Sequence, residues 1–375
     1  MRYPEFLRQN GTIGFVAPSF GASIEPYKSA FDNAQKKLKK KGYKLELGPN
    51  CYEGCGIGIS NTPEKCGQEL TEYYCSDSND VLISCGGGEL MSHTIDCVDF
   101  EKIKAARPKW YMGYSDNTNF TFLLTTLCDT ASIYGSNAPA FGQEPWHPSL
   151  QDALDVLHGK NLVLKGYDKW EKESLKDKEH PLEPYNVTEP RVLKIHAPHL
   201  NRVVTTEASH EAKDAFVAED VSAMRTKTKK ICGKSVEMQG RLIGGCMDIL
   251  AALVGTNYDN VANFVDKYKE DGIIWFMEAC DLNMLGIRRA LWQLDHAGWF
   301  KYTKGFIFGR PYFHGEELMG MDQYNAVTGI LDKYNVPIIM DADIGHIPPM
   351  MPVICGSYAS VKADETTIEV KMELK

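Results

Sequence analysis

Residues 110–128 read WYMGYSDNTNFTFLLTTLC. The first four, Trp110-Tyr-Met-Gly113, form a short apolar strand, and Tyr114-Ser115-Asp116 follow at once. Thr118 to Cys128 is apolar enough for a packed helix. A strand that turns straight into a buried helix is the repeating unit of an α/β sheet. The same pattern recurs upstream. Thr12 to Ala17 is an apolar run closed by Pro18, Ser19 and Gly21, and Val81 to Ser84 is another that runs into Cys85-Gly86-Gly87-Gly88. Between them, residues 24–42 carry Tyr27, Ala30, Phe31, Ala34 and Leu38 among lysines, an amphipathic helix ended by Gly42, and Tyr43 to Leu47 alternates as a strand.

Downstream, Gly240 to Gly245 precedes a helical stretch from Met247 to Val254. Gly272 to Met277 is a buried strand ending at Glu278, and Ile287 to Gly298 has helical spacing. Gly305–Gly309 and Val336–Met340 are further short strands, and Ser357–Leu374 alternates like one or two antiparallel strands. These elements predict an α/β protein: an N-terminal doubly wound parallel-sheet domain over 1–165 and a smaller C-terminal α/β domain over 236–375. Residues 166–235 are polar, charged and Pro-punctuated, ending in Lys227-Thr-Lys-Lys230, and are expected to be a linker with surface excursions.

Composition narrows the function. A chain of 375 residues suggests about two domains. With 43% hydrophobic and 24% charged residues it is no disordered chain, collagen or coiled coil. A net charge of −9 gives no electrostatic footprint for nucleic acid. No run of about 18 apolar residues is present, so no membrane partner is expected. The start, MRYPEFLRQN, lacks a secretory pattern, and eleven scattered cysteines are an odd number. Both point to reduced thiols and a cytoplasmic location. Cys51, Cys55, Cys66, Cys75 and Cys85 lack the two close pairs of a zinc site, so no metal is expected. The first strand–helix turn, Ala17-Pro-Ser-Phe-Gly21, lacks a dinucleotide fingerprint, and no cofactor is expected.

Four places carry possible chemistry. Ser115, between strand and helix, has the setting of a nucleophile elbow, although Asn117 stands where the G-x-S-x-G pattern has glycine. The alternative is that Ser115 or Asp116 caps the helix. Gly86-Gly87-Gly88 after a strand reads as a loop of N–H donors for an oxyanion, or as a flexible turn. Glu278 ends a strand where ligands sit in parallel sheets, and suits the acid that orients a histidine; it also suits a helix cap. His346 lies in the Gly/Pro-stiffened Asp341-Ala-Asp-Ile-Gly-His-Ile-Pro-Pro349 and suits a general base, or a turn histidine. His196, His199 and His210 read as an incidental surface group. Nucleophile and donor loop fall in the first block, acid and base in the second, so the site is expected at the domain interface.

Taken together, these stretches resemble the LD-carboxypeptidase family of serine peptidases (S66 type), which includes the microcin C self-immunity proteins. The matching segments are Gly14-Phe-Val-Ala-Pro-Ser19, Cys85-Gly-Gly-Gly88, Met112-Gly-Tyr-Ser-Asp116, Tyr134-Gly-Ser-Asn137, Gly240-Arg-Leu-Ile-Gly-Gly245, Phe276-Met-Glu278, Gly309-Arg310 and Gly345-His346 through Pro352 and Gly356. The resemblance implies a Ser115-Glu278-His346 triad without metal. It implies oxyanion donors at the N–H of Asp116 and of Gly87 or Gly88, and a homodimer. It further implies a serine carboxypeptidase that releases terminal D-alanine from a muropeptide tetrapeptide across an L,D bond. The alternative within the family is a microcin C-like hydrolase of peptide- or aminoacyl-nucleotide conjugates, in which a loop Trp holds the substrate; Trp170 stands near that place. Outside enzymes, a non-catalytic binder of peptidoglycan fragments uses the same scaffold.

Overall fold

The computed structural model describes residues 1–55, 58–197 and 235–375. Strands β1 (Thr12–Val16), β2 (Lys44–Leu47), β3 (Val81–Ser84), β4 (Trp110–Gly113) and β5 (Ser132–Tyr134) form one parallel sheet in the order β5-β4-β3-β1-β2. β3 and β4 are buried along their whole length, which explains their unbroken apolar runs. The order reverses beside β1. Loops after β1 and β3 therefore leave a crevice at the carboxyl ends of the strands, where α/β sheets bind ligands. The helix Tyr27–Lys40 buries Ala30, Phe31, Ala34 and Leu38, and Gly42 beyond it has φ +98°, as its spacing predicts.

The middle segment supplies β6 (Val163–Lys165), a hairpin of β7 (Lys169–Glu171) and β8 (Val187–Pro190), and β9 (Lys194–His196). Then come β10 (Val236–Cys246), β11 (Ile273–Glu278), β12 (Thr303–Gly309), β13 (Ile338–Ala342), β14 (Val353–Cys355), β15 (Tyr358–Ala363) and β16 (Ile368–Glu373). The second sheet runs β6-β16-β15-β10-β11-β12-β13-β9, parallel from β10 to β13 and antiparallel outside them.

Two features differ from the serial division at 165 and 235. β14 crosses back and pairs antiparallel with β5, becoming the sixth strand of the first sheet. β6 and β9, from either side of the expected boundary at 166, edge the second sheet, which with eight strands is larger than the first. Hydrogen-bonded pairing over such separations leaves no local periodicity, which is why the sequence pattern misses it. The charged stretch 206–230, with His199 and His210, lies outside the described residues.

The helix Thr118–Thr126 is buried on every side. It sits between the sheets: Phe122 stacks on Trp299 at 5.3 Å, and Trp299 stacks on Trp275 of β11 at 5.8 Å. The N–H of Cys246, at the end of β10, donates to Thr118 Oγ1 at 3.0 Å. One apolar core thus runs through both sheets. It fixes the start of this helix against the ends of β10 and β11.

Candidate active site

Ser115 occupies the turn between β4 and that helix. Its φ is +64°, a left-handed conformation that costs a non-glycine residue about 1–3 kcal/mol and persists only where the surroundings impose it. A helix cap is extended, and the extended residue here is Tyr114, at φ −140° and ψ −178°. The geometry is that of an elbow rather than a cap. Asn117, in place of the elbow's second glycine, secures the turn. Its Nδ2 donates to the carbonyls of Gly86 at 2.7 Å and Tyr114 at 3.1 Å, and its Oδ1 accepts from the Tyr111 hydroxyl. A Cβ at position 113 would stand 2.8 Å from Asn117 Cγ, so the turn needs Gly113.

The glycine loop is pinned by Phe20, whose N–H donates to the Gly87 carbonyl at 2.8 Å. A Cβ on Gly87 would sit 3.1 Å from Ser115 Oγ, whereas one on Gly88 would run into Ser19 and Gly58. Gly87 therefore flanks the serine and Gly88 turns away from it. Among the described residues, the N–H groups of Gly87 and Gly88 have no protein acceptor. Asp116 is buried, which pushes its carboxyl pKa up. Its carboxylate accepts from Ser19 Oγ, the Met91 N–H at 2.9 Å and Asn119 Nδ2 at 2.9 Å. Those bonds lock three segments around the turn, and its own N–H directly follows Ser115.

Glu278 ends β11, fully buried, and His346 follows β13 on a loop. A Cβ on Gly345 would meet Glu278 Oε2 at 2.6 Å, so only glycine lets the histidine loop approach the acid. His346 Nδ1 lies 2.8 Å from Glu278 Oε2, and Nε2 lies 2.8 Å from Ser115 Oγ. The carboxylate holds the proton on Nδ1 and leaves Nε2 to accept from the serine hydroxyl. Burial disfavours the imidazolium, but Glu278 outweighs it and raises the His346 pKa well above its ordinary value. The Tyr134 hydroxyl donates to the other carboxylate oxygen, Glu278 Oε1, and accepts from the Ser115 N–H at 3.2 Å. The three predicted residues are thus in one hydrogen-bonded chain between the sheets.

This chain opens into a cavity of about 420 Å³. Phe20, Tyr27, Tyr114 and Tyr185 supply aromatic lining, and Glu89, Glu171, Lys176 and Glu183 supply charge. Burial lowers the Lys176 pKa while Glu171 pulls it back up. Residues 171–185, expected to be a linker excursion, are thus one wall of the cavity. Trp170 is not on that wall. Its indole N–H donates to the Pro190 carbonyl at 3.2 Å, its ring meets His314 edge-on at 5.2 Å, and the Arg310 guanidinium lies 5.3 Å from it. Alternation in the β7 strand turns Trp170 away and its neighbour Glu171 inward. Tyr185 is the hairpin aromatic that reaches the cavity. Sequence reasoning missed Tyr185, and it missed Tyr134 although the Tyr134-Gly-Ser-Asn137 stretch was in view. His196 pairs with Asp332 at 2.7 Å on β9. Among the described residues, no group of His, Cys, Asp and Glu side chains is arranged to hold a metal ion.

A serine hydroxyl, an imidazole, a buried carboxylate and, among the described residues, backbone N–H groups without protein acceptors meet at a cavity, an arrangement that could carry acyl transfer. Comparison with known proteins agrees with that class. The LD-carboxypeptidase N-terminal domain matches residues 13–135 and the LD-carboxypeptidase C-terminal domain matches residues 239–361. The chain belongs to the S66 LD-carboxypeptidase family. Microcin C7 self-immunity protein MccF of Escherichia coli is 22% identical over 374 residues, covering 97% of this chain and 94% of that protein. An MccF-like protein from Bacillus anthracis str. Ames has the same fold, with a TM-score of 0.76 at 20% identity over 100% of both chains. MccF in complex with glutamyl sulfamoyl guanosine superposes with a TM-score of 0.74 at 19% identity, covering 99% of this chain and 98% of that one. As a member of this peptidase family the protein is a hydrolase.

Proposed function

We propose that the protein hydrolyses an amide bond with Ser115 as nucleophile, His346 as general base and Glu278 as the acid that orients it. The observation that carries this reading is the continuous Glu278–His346–Ser115 contact, 2.8 Å at each step, whose Ser115 and His346 members line the cavity. Ser115 Oγ attacks the acyl carbon while its proton passes to His346 Nε2. The N–H groups of Asp116 and Gly87 receive the oxyanion, each such donor being worth about 2.7–4 kcal/mol of barrier. His346 then protonates the leaving amine, the C–N bond breaks, and water releases the acyl group from Ser115.

For the substrate we favour an aminoacyl-nucleotide conjugate. Phe20, Tyr27, Tyr114 and Tyr185 offer aromatic faces to a base, and MccF, matched over nearly the whole chain, binds glutamyl sulfamoyl guanosine. The family description, LD-carboxypeptidase, supports carboxypeptidase action across an L,D bond, and the second reading is accordingly release of terminal D-alanine from an L,D-linked tetrapeptide. Mass spectrometry of the protein incubated with both compounds, with Ser115→Ala as control, separates them. Cleavage of the conjugate alone supports the first reading and loss of one D-alanine the second. Binding of either without turnover returns the scaffold to a non-catalytic binder.

A further inference from the structure

We propose that Tyr134 is a positioning residue for this reaction, its hydroxyl closing a ring of hydrogen bonds that begins and ends on Ser115. The inference rests on the hydrolase reading above. The ring runs from the Ser115 N–H to the Tyr134 oxygen, from the Tyr134 O–H to Glu278 Oε1, from Glu278 Oε2 to His346 Nδ1, and from His346 Nε2 to Ser115 Oγ. Chemistry fixes the direction of two of its links. A backbone N–H can only donate and a carboxylate can only accept, so the phenol proton must point at Glu278.

Tyr134 is fully buried at the end of β5, in the first sheet, while Glu278 ends β11 in the second. One phenol oxygen therefore sets two things together. It holds the N–H of the left-handed Ser115, fixing the direction of its side chain, and it ties the acid of the opposite sheet to that same peptide. It also takes up part of the Glu278 charge that would otherwise act on His346. The other titratable groups facing the ring are Cys280 and Glu89 beside His346, Cys246 beside Glu278 and Tyr134, and Tyr114. None of them changes in the variants below.

The test uses Tyr134→Phe and a protein carrying 3-fluorotyrosine at position 134. The rate of Ser115 labelling by a fluorophosphonate probe is followed against pH, and His346 is titrated by nitrogen-15 NMR. Partners that orient metal-ligating side chains from behind typically cost about tenfold to a hundredfold when removed, and a loss of that order is expected for a partner that orients a triad. Tyr134→Phe should slow labelling by that factor and move both the acid limb and the His346 titration to higher pH. Glu278, stripped of a donor, then favours the imidazolium more strongly. The fluorinated ring is a better donor and should move both to lower pH. A purely structural tyrosine would move neither in opposite directions. Unchanged limbs and titrations in both proteins would overturn the proposal; if Tyr134→Phe does not fold, the fluorotyrosine protein decides alone. Failure of wild-type Ser115 to label would count against the hydrolase reading, while the His346 titration still decides the role of Tyr134.

Discussion

The two halves of the site are built by different means. The half from the first sheet is made chiefly of backbone: a serine at φ +64°, a glycine loop pressed against it, and N–H groups that have no acceptor among the described residues. The half from the second sheet is made of side chains, a buried carboxylate and an imidazole 2.8 Å apart. The first half is sensitive to any added atom. The second is sensitive above all to charge, although at Gly345 an added atom would also meet Glu278. Hydrolysis by the proposed route needs both, because the nucleophile is activated across the boundary.

The largest effects break the comparison outright. Ser115→Ala and His346→Ala should each lower kcat on the order of 10⁶-fold with folding intact, and the double variant should lose no more than either, since they act as a unit. Glu278→Gln, which keeps shape and removes charge, should cost on the order of 10⁴-fold. Equal activity of wild type and any of these in a turnover assay would refute the assignment. Gly87→Ala probes the backbone half. Its methyl group would stand 3.1 Å from Ser115 Oγ, so kcat should fall about 10²–10³-fold, the value of one oxyanion donor, while thermal melting stays near wild type.

Smaller effects sharpen the contrast. By the proposed route only neutral His346 can accept the serine proton, and Glu278 raises its pKa above the ordinary 6.5. Activity should therefore be lost as pH falls through a midpoint above 6.5, and the residual activity of Glu278→Gln should show that midpoint lower. A pH profile of kcat/KM measures both. The smallest change is expected at Trp170. Trp170→Leu removes its contact with Arg310 and should cost about 0.5–2 kcal/mol of stability in denaturant unfolding, with kcat/KM unchanged, whereas Tyr185→Leu should raise KM.

The sequence made the first half readable because strand ends, glycines and a serine between strand and helix leave local marks. Gly113–Asn117 and Gly86–Gly88 lie where those marks put them. Glu278 and His346 were readable for the same reason, each at the end of a short apolar strand. What stayed hidden depends on partners far away in the chain. Tyr134 looks like any strand-end aromatic until β11 brings Glu278 to its hydroxyl. Trp170 and Tyr185 both belong to one polar hairpin, and only the pairing of β7 with β8 decides which ring reaches the cavity. β14, three residues long, has no pattern of its own that points to β5.

That last strand bears on biosynthesis. Chains emerge from the ribosome amino end first, and domains generally fold in that order. Here the sheet that carries Ser115 awaits Val353–Cys355, which follow their partner strand Ser132–Tyr134 only after the whole second sheet but its last two strands has been made. Until then β5 is a bare edge, open to pairing with another chain. A fragment stopped at residue 165 or 235 would keep that edge exposed for good, so completion of the Ser115 sheet waits on residues 353–355.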